Sequence, residues 1–482
     1  MPTRRFDLIV IGSGPAGEKA AAQAAWFGKH VALIEKHAPQ YGGACTNTGT
    51  LPSKTLRESA LALTGLASRG LEEAVLALPR PFTASQLMFR EHQVVARERA
   101  RIRANFDRHR ITVFAGTASL IGPHEVRVVP SEAGAPEEVL EGAFILVATG
   151  SRPHRPSWIP FGEAEVYDSD EILQLDKVPE SMLVLGSGVI ASEYACVFAA
   201  LETKVTVIDA RDRLLGFLDR EIGDSFAAEL RRLGLELHLN DAAVACEVDP
   251  KTRLVTVTCK SGAKLAAAAV LAAAGRSGNT QGLGLEALGV QVDSRGNLAV
   301  NEHFQTAVPH VYAAGDAVGF PGLASTSMEQ GRVAVCHAFG FSYKQRVSPV
   351  LPYGIYTIPE ISYVGATEEE LQAKGTDYAA GRAFMRENAR GHILGAESGF
   401  LKLLFGTDKK LLGVHILGPS ATELLAIGQM AMLQGATIDL FIDAVFNYPT
   451  LGELYKYAAY DGLGALARRK TMIEPARDAP LA

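Results

Sequence analysis

Apolar runs of strand length and alanine-rich stretches of helical length follow one another along the chain, with glycine turns between them. Residues 7–35 read DLIVIGSGPAGEKAAAQAAWFGKHVALIE, which predicts a strand, a glycine turn, a helix and a second strand that ends on an acidic residue. Residues 181–209 read SMLVLGSGVIASEYACVFAALETKVTVID and predict the same elements. The chain therefore contains an internal repeat of one strand–turn–helix–strand unit.

Both copies of this unit have small residues where a dinucleotide-binding turn needs them. The first small residue permits the tight turn, the second lets the backbone approach a pyrophosphate, and the third lets the helix pack on the strand. The acids Glu35 and Asp209 lie equally far after the second glycine, where each would accept hydrogen bonds from an adenosine ribose. Two such units predict two bound dinucleotides. The small residues are Gly12, Gly14 and Gly17 in the first copy and Gly186, Gly188 and Ala191 in the second.

Other segments predict further parts of an α/β protein. Residues 144–150 (FILVATG) and 311–316 (VYAAGD) predict buried strands that end in Thr-Gly and Gly-Asp. Residues 84–110 predict an arginine-rich helix, whose charges are interpreted mainly as a solvated face. Residues from about 355 to 465 alternate strands and helices without a glycine fingerprint, which is typical of an assembly domain, and residues 467–482 are expected to form a flexible tail.

Composition and charge narrow the class of protein. The 482 residues are 48 % hydrophobic and 21 % charged, which excludes wholesale disorder and allows roughly three domains. The formal net charge of −6 gives no basic field that would attract nucleic acid. No apolar stretch has the length of a membrane span and the N-terminal run is too short for a signal sequence, so a cytoplasmic protein is expected.

The five cysteines are few and scattered. They form no CxxC pair and no Cys/His cluster at zinc-ligand spacing, so neither a disulfide framework nor a bound metal is expected. They are Cys45, Cys196, Cys246, Cys259 and Cys336.

Residues 42–54 read GGACTNTGTLPSK, and they connect these parts to a known family. With GSGPAG, VATGSRP, GSGVIASE, GRSGNT, AAGDAVG and FNYPTLGE in order, the chain resembles the pyridine nucleotide–disulfide oxidoreductases over about residues 5–465. The resemblance implies an α/β fold with two Rossmann-like domains, one for FAD and one for NAD(P), and a C-terminal α+β domain that forms a homodimer. The implied ranges are 1–155 and 273–347 for the two parts of the FAD domain, 156–272 for the NAD(P) domain and 348–466 for the dimerisation domain.

The resemblance also implies which residues contact the cofactors. Lys54 and Glu193 match positions that pair beside the flavin, where a lysine stabilises the negative charge of the reduced ring. Asp316 matches the residue that binds the ribityl chain, and a helix beginning near Ser325 would direct its positive end at the pyrimidine ring. The expected contacts are Gly12, Gly14, Gly17, Glu35, Lys36, Gly43, Cys45, Lys54, Thr149, Gly150, Gly186, Gly188, Glu193, Asp209, Arg211, Gly275, Asp316 and Ala324.

Two departures from the family pattern predict a changed reaction. The redox disulfide of the family has the spacing CxxxxC, but here Cys45 is retained and Thr50 takes the place of its partner. The family's HPTxxE base motif reads YPTLGE, so Tyr448 takes the histidine position. A neutral tyrosine side chain, whose ordinary pKa is about 10, is a poor thiol base. Cys45 is therefore expected to be a packed residue near the flavin. Hydride transfer remains, and the expected residues of the catalytic centre are Lys54, Glu193, Cys45 and Thr50.

Within the family, the pattern is most similar to soluble pyridine nucleotide transhydrogenases, through CTNTGTLPSK with its single cysteine, YDSDEIL, RDRLLGFLD, YGIYTIPEIS and FNYPT. Such similarity implies a FAD enzyme that exchanges hydride between NADPH and NAD+ by a ping-pong route at one nicotinamide site. Asp209 suits the ribose of NAD(H) and would repel the 2′-phosphate of NADP(H). Arg211 and Arg213 are interpreted either as a clamp for that phosphate or as ordinary surface residues. Two alternatives stay open, an NAD(P)H:acceptor oxidoreductase of quinone-reductase or diaphorase type and a flavin-bound scaffold without turnover.

Overall fold

The computed structural model describes residues 4–64 and 84–473, and three large sheets organise this part of the chain. In chain order the strands are β1 (Arg4–Ile11), β2 (Val31–Glu35), β3 (Thr112–Leu120), β4 (Glu125–Pro130), β5 (Glu138–Val147), β6 (Ser151–Pro153), β7 (Val166–Asp168), β8 (Ser181–Leu185), β9 (Lys204–Ile208), β10 (Glu236–His238), β11 (Ala243–Val248), β12 (Val255–Cys259), β13 (Lys264–Ala267), β14 (Ala269–Ala272), β15 (Arg276–Gly278), β16 (Val311–Ala313), β17 (Tyr353–Ile355), β18 (Ile361–Gly365), β19 (Tyr378–Phe384), β20 (Phe400–Gly406) and β21 (Leu411–Leu417).

Helices connect and cover these sheets. In chain order they are α1 (Pro15–Trp26), α2 (Gly43–Asn47), α3 (Thr50–Thr64), α4 (Ala84–Arg108), α5 (Val189–Ala200), α6 (Arg220–Arg232), α7 (Ala324–Phe339), α8 (Glu368–Ala373), α9 (Ala389–Leu394), α10 (Ala421–Leu433), α11 (Asp439–Asp443) and α12 (Leu454–Ile473). Short 3₁₀ turns lie at Glu171–Gln174, Glu286–Leu288, Gly315–Val318, Met385–Glu387 and Leu451–Glu453.

The first sheet contains the first copy of the repeat. β1 lies parallel between β2 and β5, with Leu8 opposite both Val31 and Phe144, and β16 continues the sheet beyond β5. All of β2 is buried, as expected for a parallel strand covered on both faces. α1 and α7 pack so closely that a Cβ at Gly331 would lie 2.4 Å from the Ala16 carbonyl oxygen, so only glycine fits there.

The second copy of the repeat builds a parallel sheet of five strands in the order β10–β9–β8–β14–β7. α5 and α6 cover one face, where Phe198 and Phe226 are buried. The antiparallel meander β11–β12–β13 covers the other face with Val255, Val257 and Cys259. Both faces of the sheet are therefore covered, so a binding site can form only at the ends of its strands.

The third sheet is antiparallel, in the order β17–β18–β21–β20–β19, with α10 and α12 packed against it. The Tyr455 hydroxyl joins the two helices, because it accepts from Gly428 N–H at 3.1 Å and donates to Leu424 O at 2.9 Å. A Cβ at Gly381 would lie 2.0 Å from the Ala458 carbonyl oxygen, which fixes α12 on β19.

The fold class predicted from the sequence is confirmed, since two Rossmann-like units and a separate antiparallel sheet with helices are present. The flexible tail predicted over residues 467–482 needs a correction, because α12 continues to Ile473 and residues 467–473 are helical. Residues 474–482 lie outside the described residues. The arginine-rich helix is present as α4. No helix of the described residues is long and apolar enough to cross a membrane.

Candidate functional site

The turn between β1 and α1 is shaped by glycines that no other residue could replace. Gly12 has φ +103°, and a Cβ there would lie 2.4 Å from the Ala148 carbonyl oxygen. A Cβ at Gly17 would lie 2.0 Å from the Gly12 carbonyl oxygen, and one at Gly43 would lie 2.9 Å from the Gly14 Cα. The backbone is therefore bare where a pyrophosphate would approach it. In the described chain no side chain caps α1, so its first N–H groups remain for an anion.

Glu35 ends β2 and holds this turn in place. Its carboxylate accepts from Ser13 N–H at 2.9 Å, from the Ser13 hydroxyl at 2.5 Å and from His37 N–H at 2.9 Å. The Ser13 oxygen in turn accepts from Gly42 N–H at 3.1 Å. Glu35, which is expected to contact a ribose, thus also holds the first glycine turn in place, a role that the sequence did not indicate. Lys36 follows it and is exposed.

The loop after Tyr41 is held by an asparagine. The Asn47 side chain donates to Gln40 O at 3.1 Å, to Tyr41 O at 3.2 Å and to Gly43 O at 2.8 Å. Arg99 on α4 donates to the Asn47 carbonyl oxygen at 2.6 Å. The arginine run of α4 is therefore not only a solvated face, since one of its members braces the loop that contains Gly43 and Cys45.

Lys54 and Glu193 meet where α3, α5 and the segment after β17 come together. Lys54 Nζ on α3 lies 2.6 Å from Glu193 Oε2 on α5, and Glu193 Oε1 accepts from Tyr356 N–H at 2.9 Å. The Lys54 ammonium also lies 5.0 Å from the centre of the Tyr356 ring. Glu193 is only 5 % exposed, so the ion pair holds the two side chains in position. Tyr356 was missed, although the quoted motif YGIYTIPEIS contains it.

Cys45 on α2 and Thr50 at the start of α3 lie close enough for their side chains to interact. A hydroxyl thus occupies the place where a disulfide needs a second sulfur, and all five cysteines of the described chain are free. Burial raises the pKa of the Cys45 thiol above its ordinary value, although the interaction with Thr50 acts in the opposite direction. The thiol is therefore protonated near neutral pH and is a poor nucleophile.

Buried polar atoms without a hydrogen-bond partner lie among the remaining residues that are expected to contact FAD. Among the described residues, the buried hydroxyls of Thr149 and Thr326 have no hydrogen-bond partner. Thr149 follows β5, and Thr326 lies in the first turn of α7, which begins at Ala324 and has no side-chain cap in the described chain. Asp316 accepts from the Ser151 hydroxyl at 2.6 Å. Orphaned hydroxyls, bare backbone and an uncapped helix start together fit a large polar cofactor such as FAD. Gly150 and Gly275, with φ +67° and +99°, follow β5 and β14.

The second glycine turn repeats the first. Gly186 has φ +114°, and a Cβ there would lie 2.7 Å from the Ala273 carbonyl oxygen, whereas Gly188 faces open space. Asp209 accepts from Arg211 N–H at 2.8 Å and from its guanidinium at 3.0 and 2.9 Å. Burial raises the pKa of Asp209, but the Arg211 hydrogen bonds outweigh it and the carboxyl pKa lies below its ordinary value. Arg213 instead donates to Gly216 O at 2.5 Å.

Tyr448 lies apart from these groups on the surface of its own chain, where it is 75 % exposed. Val445 nearby is 96 % exposed and Tyr457 on α12 is 53 % exposed. The segment that resembles the partner-contributed motif is thus open to a second molecule.

Comparisons with known proteins agree with this geometry. The family model described as pyridine nucleotide-disulphide oxidoreductase matches residues 6–331, and that of its dimerisation domain matches residues 351–459. A soluble pyridine nucleotide transhydrogenase of Mycobacterium tuberculosis (strain ATCC 25177 / H37Ra) is 46 % identical over 459 residues, which cover 95 % of this chain and 97 % of the relative. One of Marinomonas sp. (strain MWYL1) is 42 % identical over 466 residues, 96 % and 99 % of the two chains.

Two solved structures share the fold. The HOCl-induced flavoprotein disulfide reductase RclA from Escherichia coli has a TM-score of 0.85 at 28 % identity, over 94 % of this chain and 99 % of that one. LpdA from Mycobacterium tuberculosis has a TM-score of 0.85 at 26 % identity, over 95 % of this chain and 99 % of that one.

Proposed function

Because the chain belongs to the pyridine nucleotide-disulphide oxidoreductase family, we propose that it is a FAD-dependent transhydrogenase that moves hydride between NADPH and NAD+ without a redox disulfide. The observation that carries the proposal is the Cys45–Thr50 pair, in which a hydroxyl stands where the family's chemistry needs a thiol. Relatives at 40–46 % identity are named soluble pyridine nucleotide transhydrogenases. The chain is accordingly an oxidoreductase.

The chain's own residues would bind and position the reacting groups. Gly12, Gly14 and the start of α1 would receive the FAD pyrophosphate, Glu35 the adenosine ribose, and Asp316 the ribityl chain. When bound, FAD supplies a ring atom that accepts hydride from one nicotinamide and returns it to another. Lys54 would place its positive charge beside that ring, and Glu193 would keep the ammonium from turning to solvent.

The second turn would bind one nicotinamide nucleotide at a time. Gly186, Gly188 and the start of α5 would receive its pyrophosphate, and Asp209 would accept from the adenosine ribose of NAD(H). For NADP(H), Arg211 would leave Asp209 and bind the 2′-phosphate, which its exposed side chain permits because 57 % of it is accessible. One site thus serves both coenzymes in turn, as a ping-pong route requires.

The active form is proposed to be a homodimer. Support comes from the dimerisation-domain match and from the apolar groove of about 510 Å³ lined by Ile427, Met430, Leu440 and Phe446. The exposed Tyr448 would face the partner's flavin site, where no redox disulfide requires a thiol base. The cytoplasmic location stays a prediction, which cell fractionation would check.

The test is an anaerobic two-step experiment on the holoenzyme. NADPH is expected to bleach the flavin absorbance in a stopped-flow instrument, and a thio analogue of NAD+ mixed in next should restore it while the reduced analogue appears. Flavin that stays reduced with the nucleotide but reoxidises with a quinone would instead identify an NAD(P)H:acceptor oxidoreductase. If neither coenzyme bleaches the flavin, the chain is a flavin-bound scaffold.

A further inference from the structure

A histidine, a carboxylate and a thiol converge at the β10 edge of the parallel five-stranded sheet. His238 ends β10, Asp241 follows in the next loop, and Cys259 ends β12 of the meander. Their donor atoms all lie within 4.8 Å of one another, and His238 Nε2 is 2.9 Å from Asp241 Oδ2. Cys259 is 1 % exposed, whereas 32 % of the His238 side chain is accessible, so the cluster is closed on the sulfur side and open to solvent on the other.

Ordinary loop contacts explain part of this cluster but not the thiol. Ser261, in the turn between β12 and β13, donates its N–H to Asp241 Oδ1 at 3.0 Å and its hydroxyl to Oδ2, which accounts for a carboxylate beside that turn. A thiol is only a weak hydrogen-bond donor, so a carboxylate and an imidazole gain little from lying beside it.

We propose that His238, Asp241 and Cys259 bind one divalent metal ion of the zinc class, with solvent in the fourth position. One nitrogen, one oxygen and one sulfur donor form a set that zinc accepts in tetrahedral geometry and that magnesium or calcium does not favour. On binding, Cys259 gives its proton to solvent and its sulfur bonds to the metal, while His238 coordinates as neutral imidazole. No oxidation or reduction is involved.

Backbone hydrogen bonds join the proposed metal site directly to the segment with Asp209 and Arg211, which would bind the adenosine part of the nicotinamide nucleotide. Asn240 N–H donates to Arg211 O at 2.9 Å, Asp241 N–H donates to Asp209 O at 3.1 Å, and Asp209 N–H donates to His238 O at 3.1 Å. A dication that displaces one proton makes the cluster more positive by one unit beside Asp209 and Arg211. On the proposed function, this charge favours the extra phosphate of NADPH over NADH, so zinc is expected to lower the ratio of the NADPH KM to the NADH KM by about twofold or more.

Binding is measured first, on the holoenzyme stripped with a chelator, by titrating Zn²⁺ in competition with a chromogenic chelator. One ion per subunit is expected, and Co²⁺ should add a thiolate charge-transfer band to the spectrum. Cys259→Ser and His238→Gln should each weaken binding by at least ~100-fold, because loss of a ligand costs more than loss of a supporting partner. Cys246→Ser is the matched control, since it removes another buried thiol from the adjoining β11 and should bind as the parent does.

Cys45→Ser separates this site from the thiol beside Thr50, and it should also retain the ion. Zinc affinity that does not change in Cys259→Ser and His238→Gln would overturn the site. An intact site whose occupancy leaves the KM ratio unchanged would overturn its coupling to the coenzyme. The binding assay needs no turnover, so failure of transhydrogenation and failure of the metal site give separate results.

Discussion

The side chain of Thr50 alone decides whether Cys45 can form a redox disulfide. Its hydroxyl lies close enough to interact with Cys45, so a sulfur at this position is expected within reach of the Cys45 thiol. We expect Thr50→Cys to form a disulfide when the protein is oxidised. Thiol titration after denaturation should then find two fewer thiols per subunit than in the same variant treated with reductant. Cys45→Ser combined with Thr50→Cys is the control and should show no such difference. An equal thiol count in oxidised and reduced Thr50→Cys would contradict the predicted geometry.

Lys54 should determine how readily the flavin accepts hydride. Its Nζ lies 2.6 Å from Glu193 Oε2. Its position in the sequence resembles that of the lysine that contacts the flavin in this family. Lys54→Met removes the positive charge that stabilises the reduced ring, so we expect flavin bleaching by NADPH to slow about tenfold or more, equivalent to about 1.4 kcal/mol, and the midpoint potential to fall. Lys54→Arg keeps the charge and should recover most of both. Similar loss in the two variants would mean that shape, not charge, matters here.

Arg211 is expected to determine whether NADPH binds as well as NADH. It neutralises Asp209 in the described structure, and its guanidinium is accessible to a phosphate. Arg211→Ala leaves Asp209 uncompensated, so the NADPH KM should rise by about tenfold or more while the NADH KM changes little, since charge-assisted bonds to a phosphate are strong. Steady-state KM values for the two coenzymes check this. Equal losses for both would remove the proposed clamp.

At the scale of elements, α6 is attached to the third sheet through a buried cation. Lys402 on β20 is 1 % exposed, and its Nζ lies 2.7 Å from Asp219 at the start of α6, 2.9 Å from Glu221 and 2.9 Å from Glu368. Lys402→Met would leave Asp219 buried without its cation, which costs about 3–5 kcal/mol. We expect a lower free energy of unfolding in urea. The exposed Lys374→Met, at the end of α8, is the control and should change it little.

The same contacts predict how stability depends on pH. Burial raises the pKa of Asp219 and of Glu221, but hydrogen bonds from Lys402 and Arg382 prevail, and both carboxyl pKa values lie below their ordinary range. Their stabilising contribution is therefore complete above the unfolded carboxyl pKa of about 4 and is lost as the pH falls through the folded values. Thermal unfolding between pH 7 and pH 3 should show a smaller loss in Lys402→Met than in the parent. A parallel loss would assign the acid sensitivity to other groups.

At the scale of the whole molecule, the sequence predicts what depends on local spacing. The two glycine turns and their acids Glu35 and Asp209 follow from residues close together in the chain, and the structure places them as two similar units. The contact of Tyr356 with Glu193 and that of Arg99 with Asn47 join residues far apart in sequence, so no local pattern indicates them. The cluster of His238, Asp241 and Cys259 was missed for the same reason, because β10, the loop after it and the meander supply its members.

Assembly is the remaining property of the whole molecule. Met430 on α10 is 58 % exposed beside the apolar groove, in the range that matches a dimerisation domain. A twofold interface contains each residue twice, so Met430→Glu would bring two charges into one contact and remove two apolar anchors worth about 1.5–3 kcal/mol each. We expect light scattering at micromolar concentration to give the mass of one 51.3 kDa chain for this variant and of two for the parent.

Phe89→Glu serves as the control for that experiment, because Phe89 is 63 % exposed on α4, outside the dimerisation range, and the variant should remain a dimer. If the partner's Tyr448 segment completes the flavin site, the monomeric Met430→Glu chain should also release FAD more readily on gel filtration. A Met430→Glu protein that keeps the mass of two chains would show that this groove is not the contact between subunits. Release of FAD from the Phe89→Glu dimer would show that cofactor loss does not depend on assembly.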